Sequence, residues 1–175
     1  MDDLISFALK EDFLDTGGAL TYRGRNLLRV LIERLPQVHK GRWGELFVPL
    51  MSRMVPVAVE LVIVRKRQAL LVHREDEFWN GWYTPGTYLG PRESWQQAAE
   101  RCAGRELAVP VRVTGEPLRV FSCPENRRFH DLCVLLPCEI TGGEPQAGQW
   151  FSEMPADIIP EHRKYWPVIE QQFSA

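Results

Sequence analysis

Between Trp82 and Val109 the chain sets Pro85-Gly86 ahead of Glu93, Arg101, Arg105 and Glu106. Residues 102, 105 and 106 are spaced i, i+3 and i+4, so a helix presents them on one face. That face carries Cys102, Arg105 and Glu106, a neutral group, a cation and a carboxylate, whose formal charges cancel. An ion of the Mg2+ class needs hard oxygen ligands shared among carboxylates, substrate oxygens and water. One carboxylate serves one such ion, and an assembly of two or three ions is excluded. Arg105 has the donor fork to neutralise a diphosphate by paired hydrogen bonds. Its plainer role is that of a solvent-facing helix residue.

The whole segment, WYTPGTYLGPRESWQQAAERCAGRELAV, resembles the box of the Nudix hydrolases, G-x5-E-x7-R-E-U-x-E-E-x-G-U, with U a bulky aliphatic residue. Thr87 stands at the first Gly, Glu93 at the next Glu and Arg101 at the Arg. Cys102 replaces the following Glu, Arg105-Glu106 the acidic pair, and Ala108-Val109 the closing Gly-U. The resemblance implies an α/β (α+β) Nudix fold, a mixed β-sheet sandwiched between helices. It also implies hydrolysis of a nucleoside-diphosphate-linked compound such as a nucleotide sugar.

Keeping the Arg and the last Glu while losing two carboxylates is most similar to the box of the GDP-mannose mannosyl hydrolases. Those enzymes cleave the sugar carbon–oxygen bond rather than the pyrophosphate. The likeness implies a single Mg2+ or Mn2+ held by Glu106 and the Gly86 carbonyl, with Glu144 as a further ligand from the loop before the last strand. It sets Arg101 near the diphosphate and Arg74 as an active-site arginine, and brings Glu60 and His130 to the substrate. The departures are specific. Tyr88 stands where an arginine is expected, and the loop around Gly143-Glu144-Pro145-Gln146 contains no His, so no general base is assigned. Arg101 paired with Glu93 reads equally as a structural clamp. Phe78, Trp79, Trp82, Tyr83 and Tyr88 flank the loop, and Trp79 and Tyr88 are the ones expected to stack on a base or sugar. The competing function is a catalytically inactive Nudix-fold module that binds a nucleotide or a protein partner. Acids converging on Glu106 favour the enzyme, whereas Arg105 filling the metal position favours the module.

Elements of the right kind surround this segment. Val55 to Val64 is almost wholly apolar and rich in β-branched residues, as a strand buried on both faces should be. Arg65-Lys66-Arg67-Gln68 reads as a solvated turn and Ala69 to His73 as the returning strand. Glu93 to Leu107 is helical, with Pro91 as an entry signal. Val111 to Ser122, Leu132 to Ile140 and Gln149 to Phe151 follow as strands, and Pro160 to Phe173 closes as a helix. Residues 1–54 read as a helical extension broken at Asp15-Thr16-Gly17-Gly18, a cap or a homodimer contact, and residues 55–175 as the Nudix-like domain. Leu27, Leu28, Leu31, Ile32 and Leu35 form a stripe of helical period. A second amphipathic stretch runs from Gly44 to Met54.

The bulk properties narrow the functions. A chain of 175 residues with 45% hydrophobic content has enough apolar side chains for a full core. A net charge of -2 argues against nucleic acid as the partner. The four cysteines have no C-x2-C spacing, which speaks against a zinc framework and for reduced thiols in the cytoplasm. The acidic start lacks the features of a signal peptide, and no apolar run reaches the roughly 18 residues of a membrane span.

Overall fold

A computed structural model describes residues 2–33, 48, 51–76 and 78–174. The chain divides into two compact units, residues 1–47 and 48–175. The first holds α1 (Asp2–Lys10) and α2 (Tyr22–Glu33). Asp15 makes the break between them, because its Oδ1 accepts from the N–H groups of Gly17 and Ala19, each at 2.9 Å. Such turns suit a short carboxylate side chain. Thr21 caps α2 by accepting from the Gly24 N–H at 3.1 Å. The expected apolar stripe falls on α2 from Leu27 to Ile32, with Leu27 and Leu28 exposed, and its last member, Leu35, lies outside the described residues. The stretch from Gly44 to Met54 lies mostly outside the described residues.

The second unit runs β1 (Val57–Arg65), β2 (Gln68–Glu75), β3 (Asn80–Tyr83), β4 (Gly86–Tyr88), α3 (Trp95–Glu106), β5 (Val111–Val113), β6 (Arg119–Cys123), β7 (Asp131–Ile140), β8 (Gln149–Phe151) and α4 (Trp166–Gln171). The strands form one mixed sheet in the order β3-β2-β1-β7-β5, with β4 on β1, β6 on β7 and β8 on β2. β1 and β7 run parallel, from Val57 opposite Leu132 to Ile63 opposite Cys138. Alternation along β1 divides the core in two. Val59, Leu61 and Ile63 pack with α3, while Ala58 and Val62 pack with Ile158, Trp166 and Ile169. Burying a residue such as Leu61 contributes about 1.5–3 kcal/mol. Glu60 has the parity of Ala58 and Val62, and it is the one charged residue in the buried part of β1.

α3 lies against the sheet through small side chains, Ala98, Ala99, Cys102 and Ala103, all buried. Ser94 caps it: its hydroxyl accepts from the Gln97 N–H, and the Gln97 side chain accepts from the Ser94 N–H. Such a reciprocal cap satisfies two donors that the first turn leaves orphaned. After the helix, Ala108 adopts φ 56°, the left-handed conformation that explains a Gly at this place in the family pattern.

Three expectations need revision. Val111 to Ser122 is two strands, because Gly115 and Pro117 interrupt it and Pro has no N–H for the ladder. The aromatic loop between β2 and α3 contains β3 and β4, which exist by pairing with β2 and β1. The closing helix is a 3-10 turn from Pro160 to Tyr165, then α4, then a second 3-10 turn from Gln172 to Ser174. The basic run is a solvated turn as expected: Lys66 and Arg67 are exposed, with φ 51° and 62°, as a two-residue hairpin loop requires. Among the described residues no helix is long and apolar enough to cross a membrane.

Candidate active site

The site is organised around the backbone of Gly86. β1 pairs with β4 so that Glu60 and Gly86 are direct partners. On one side the Gly86 N–H donates to Glu106 Oε2 at 3.3 Å, joined there by the Tyr83 hydroxyl at 3.3 Å. On the other side the Glu60 carboxyl lies where a side chain would begin, since a Cβ on Gly86 would meet Glu60 Oε2 at 2.5 Å. The absent side chain therefore lets two carboxyls approach one peptide.

Arg105 closes this group. Its Nη2 donates to Glu106 Oε1 at 2.6 Å and to the Gly86 carbonyl at 3.1 Å. The two oxygens that the family resemblance assigns to a metal thus converge on a single guanidinium nitrogen. Cys102 does not share their environment. It is fully buried in the core under α3, and burial pushes its thiol well above the ordinary range.

Burial dominates the electrostatics. Glu60 is pushed up from 4.5 to about 8 by desolvation, opposed by its hydrogen bond with Thr84 and reinforced by Glu106 and Asp131. The Thr84 hydroxyl lies 2.9 Å from Glu60 Oε2 and 2.7 Å from His162 Nδ1, and the Thr84 N–H donates to that same Nδ1 at 3.2 Å. Desolvation holds His162 down to about 3, with Arg74 and Lys164 adding to it. Near neutral pH His162 is therefore an uncharged acceptor, and the Thr84 hydroxyl links it to a protonated Glu60.

Arginines and aromatic rings form an adjoining wall. Trp79 takes Arg74 at 4.8 Å and Arg128 at 4.4 Å from its ring centroid. Arg74 also pairs with Asp76 and lies 5.8 Å from the Tyr83 ring. Arg128 reaches the Tyr88 hydroxyl at 3.4 Å, while its buried Nε has no partner among the described residues. Burial depresses its guanidinium. Tyr88 donates to Asp131 Oδ2 at 3.2 Å.

The structure thus brings Glu60, Arg74, Trp79, Gly86, Tyr88, Arg105 and Glu106 into one connected set. Trp79 enters it as a buried ring held between two arginines rather than as an open stacking platform. Glu144 stays outside, because Arg65 at the end of β1 engages both its carboxylate oxygens at 2.8 and 2.9 Å. His130 faces β6, with Nε2 2.9 Å from Ser122 Oγ. Thr84, Arg128, Asp131 and His162 belong to the set and were not anticipated. Thr84 adjoins the Pro85-Gly86 signal, whereas nothing local marks a His 78 residues further on.

Arg101 is the clamp. It donates to both Glu93 oxygens at 2.7 and 2.8 Å, to Thr87 Oγ1 at 2.8 Å and to the Tyr88 carbonyl at 2.8 Å. These bonds engage all three of its nitrogens. Arg101→Ala is expected to cost about 2 kcal/mol, read from the urea midpoint of unfolding. An unchanged midpoint would show that the clamp holds nothing.

The sequence matches the NUDIX domain family over residues 54–170. The chain belongs to that family. Its NUDIX unit shares the fold of solved structures at low identity. An ADP-ribose pyrophosphatase from Streptococcus suis 89-1591 superposes with TM-score 0.58 at 17% identity, covering 70% of this chain and 94% of that one. A MutT NUDIX hydrolase from Burkholderia pseudomallei gives 0.55 at 21%, covering 67% and 98%. A UDP-X diphosphatase gives 0.58 at 16% and covers 98% of this chain and 89% of its own. No curated protein sequence matches the chain.

Proposed function

We propose that this NUDIX protein hydrolyses a nucleoside-diphosphate-linked compound, a nucleotide sugar or a relative of one, with a single divalent ion. One observation carries the reading: two carboxyls approach the Gly86 peptide, Glu106 Oε2 at 3.3 Å from its N–H and Glu60 where a Gly86 side chain would begin. A carboxylate and a carbonyl are the hard donors that Mg2+ or Mn2+ takes from a protein, with substrate oxygens and water completing the shell. Glu106 and Gly86 would hold the ion, which would supply neutralisation of the diphosphate and polarisation of the scissile bond.

The remaining roles fall to residues of the chain. Arg105 leaves the two oxygens and turns its fork to the diphosphate, keeping the positive charge beside the leaving group. Arg74 and Arg128, packed about Trp79, form a cationic wall for the rest of the substrate, and Tyr88 lines it. Glu60, across Gly86 from Glu106, accepts a proton from the attacking water in its ionised form, whose share grows as pH rises towards about 8. The likeness of the box to that of the GDP-mannose mannosyl hydrolases supports a nucleotide sugar, with attack at the sugar carbon or at phosphorus. The UDP-X diphosphatase and ADP-ribose pyrophosphatase folds are compatible with the same substrate class. Four unpaired thiols suit a cytoplasmic protein. Residues 1–54 are assigned to a cap or homodimer contact.

A hydrolysis screen over nucleotide sugars, nucleoside triphosphates and dinucleoside polyphosphates with Mg2+ or Mn2+ tests this. Glu106→Gln is expected to lower turnover at least about 100-fold, the scale of losing a charge-stabilising group. The products identify the bond. Wild-type turnover that survives Glu106→Gln would end the assignment. Arg105 on the metal-binding oxygens also supports a silent module that binds a nucleotide. That reading requires no turnover on any substrate and nucleotide binding that Arg105→Ala abolishes.

A further inference from the structure

Behind the active site, on the sheet face that packs against α4, lies a second cluster. β6 and β7 pair so that Cys123 faces Asp131 directly, with Cys133 two residues further along the same face. All three are buried, and their ligand atoms lie within 4.8 Å of one another. Cys123 Sγ is 3.4 Å from Cys133 Sγ, and Cys133 Sγ is 3.5 Å from Asp131 Oδ1. We infer that Cys123, Cys133 and Asp131 form a binding site for a thiophilic divalent ion of the zinc class, which shares Asp131 with the wall of the active site and uses neither Glu106 nor Gly86.

The dimensions suit such an ion. With metal–sulfur bonds of about 2.3 Å and a metal–oxygen bond of about 2.1 Å, a tetrahedral ion spaces its sulfurs about 3.8 Å apart and sulfur from oxygen about 3.6 Å. The sulfur–sulfur separation is about 0.4 Å short of this and the Cys133–Asp131 separation about 0.1 Å short, while the third pair lies within 4.8 Å, so small side-chain shifts complete the geometry. The carboxylate is also aimed. Asp131 Oδ2 accepts from the Tyr88 hydroxyl at 3.2 Å and from Asn126 Nδ2 at 3.0 Å, which leaves Oδ1 turned to the thiols. Support of this kind from outside the ligand set is what fixes metal ligands in place. The Tyr165 hydroxyl, 3.9 Å from Cys123 Sγ, borders the fourth position.

Charge and ligand type select the ion. Two thiolates and a carboxylate carry three negative charges, and a divalent cation leaves one. The Lys164 ammonium, adjacent to Cys123 and paired with Glu125 at 2.8 Å, lowers the negative potential there. Sulfur donors prefer zinc-class ions and exclude Mg2+. An ion here ties β6 to β7 and, through Asp131, Tyr88 and Asn126, braces the loop that carries Arg128.

Titration of the fully reduced protein with Co2+ tests the site, because thiolate ligation gives charge-transfer absorption in the near ultraviolet. Saturation at one ion per chain is expected, with displacement by Zn2+ and none by Mg2+. Cys133→Ser should abolish the absorption, Asp131→Asn should weaken affinity at least about 10-fold, and the Cys102→Ser/Cys138→Ser double variant should leave it intact. Glu106→Gln should leave it intact as well, which separates this site from the proposed hydrolytic one. No band in reduced wild type, or a band that survives Cys133→Ser, overturns the inference. Should Cys133→Ser fail to fold by circular dichroism, unchanged Co2+ affinity in Asp131→Asn overturns it instead.

Discussion

Glu60→Gln is expected to stabilise the protein by roughly 3–5 kcal/mol at pH 8, while leaving it near wild type at pH 5. The sign follows from where the proton resides. The folded state raises the Glu60 carboxyl from 4.5 to about 8, so between those values the native protein keeps a proton that the unfolded chain has released. Stability linked to Glu60 is complete below about pH 4.5 and drains away as pH rises to about 8. At about 1.4 kcal/mol for each tenfold change in proton affinity, the full loss approaches 5 kcal/mol.

His162 acts in the opposite direction. Its folded value is depressed from 6.5 to about 3, so its contribution is present above about pH 6.5 and is lost as pH falls to about 3. The two slopes cancel between about 4.5 and 6.5, where a plateau of stability is expected, with a fall on either side. Urea unfolding of wild type, Glu60→Gln and His162→Gln at pH 4, 5.5 and 8 resolves the limbs. The alkaline limb should flatten in the Glu60 variant and the acid limb in the His162 variant. If the Glu60 variant loses stability between pH 5.5 and 8 as steeply as wild type, burial of that carboxyl is not the cause. Under the proposed chemistry the same variant loses turnover. That would make Glu60 a site where function is maintained at the expense of stability.

Arg105 carries the second large effect. Arg105→Ala is expected to raise Mn2+ affinity about tenfold and Arg105→Glu about a hundredfold, measured by titration calorimetry without substrate. Nη2 now sits on both oxygens that would ligate the ion. Removing it abolishes the competition, and reversing its charge adds a ligand. Full Coulomb attraction at this range is about 4 kcal/mol at an effective dielectric of 20. Arg105 is half exposed, so about 1.4 kcal/mol per charge is the appropriate scale. Equal Mn2+ affinity in wild type and both variants would show that Arg105 does not contest the site. Diphosphate affinity should change in the opposite sense, weakening with Arg105→Ala.

How much of this was legible in the sequence depended on how local each determinant is. α3 was readable because its Ala-rich run lies within one helix and Glu93 stands just ahead of its Ser94 cap, eight residues before Arg101. β1 was readable because a strand buried on both faces must be nearly all apolar. β3 and β4 were not, since Asn80–Tyr83 and Gly86–Tyr88 are short, aromatic and glycine-containing, and become strands only through their partners. The site divides in the same way. Glu106, Arg105 and Gly86 could be placed from the box. Glu144 was placed by its loop alone, and no spacing rule foretold that Arg65 would hold it. The link from Glu60 through Thr84 to His162 joins β1, the β3–β4 loop and the turn before α4. Residues so far apart in the chain meet only after the sheet has formed.

The Arg101 clamp has a historical consequence. Glu93, Thr87 and Tyr88 tie the loop to the helix through Arg101, and neither residue 102 nor residue 105 takes part in those bonds. The clamp therefore persists whichever side chains stand at those two positions. A lineage can lose carboxylates there, gain an arginine and test new substrates while the loop and helix keep their arrangement. Ancestry is recorded in one set of residues and innovation in another.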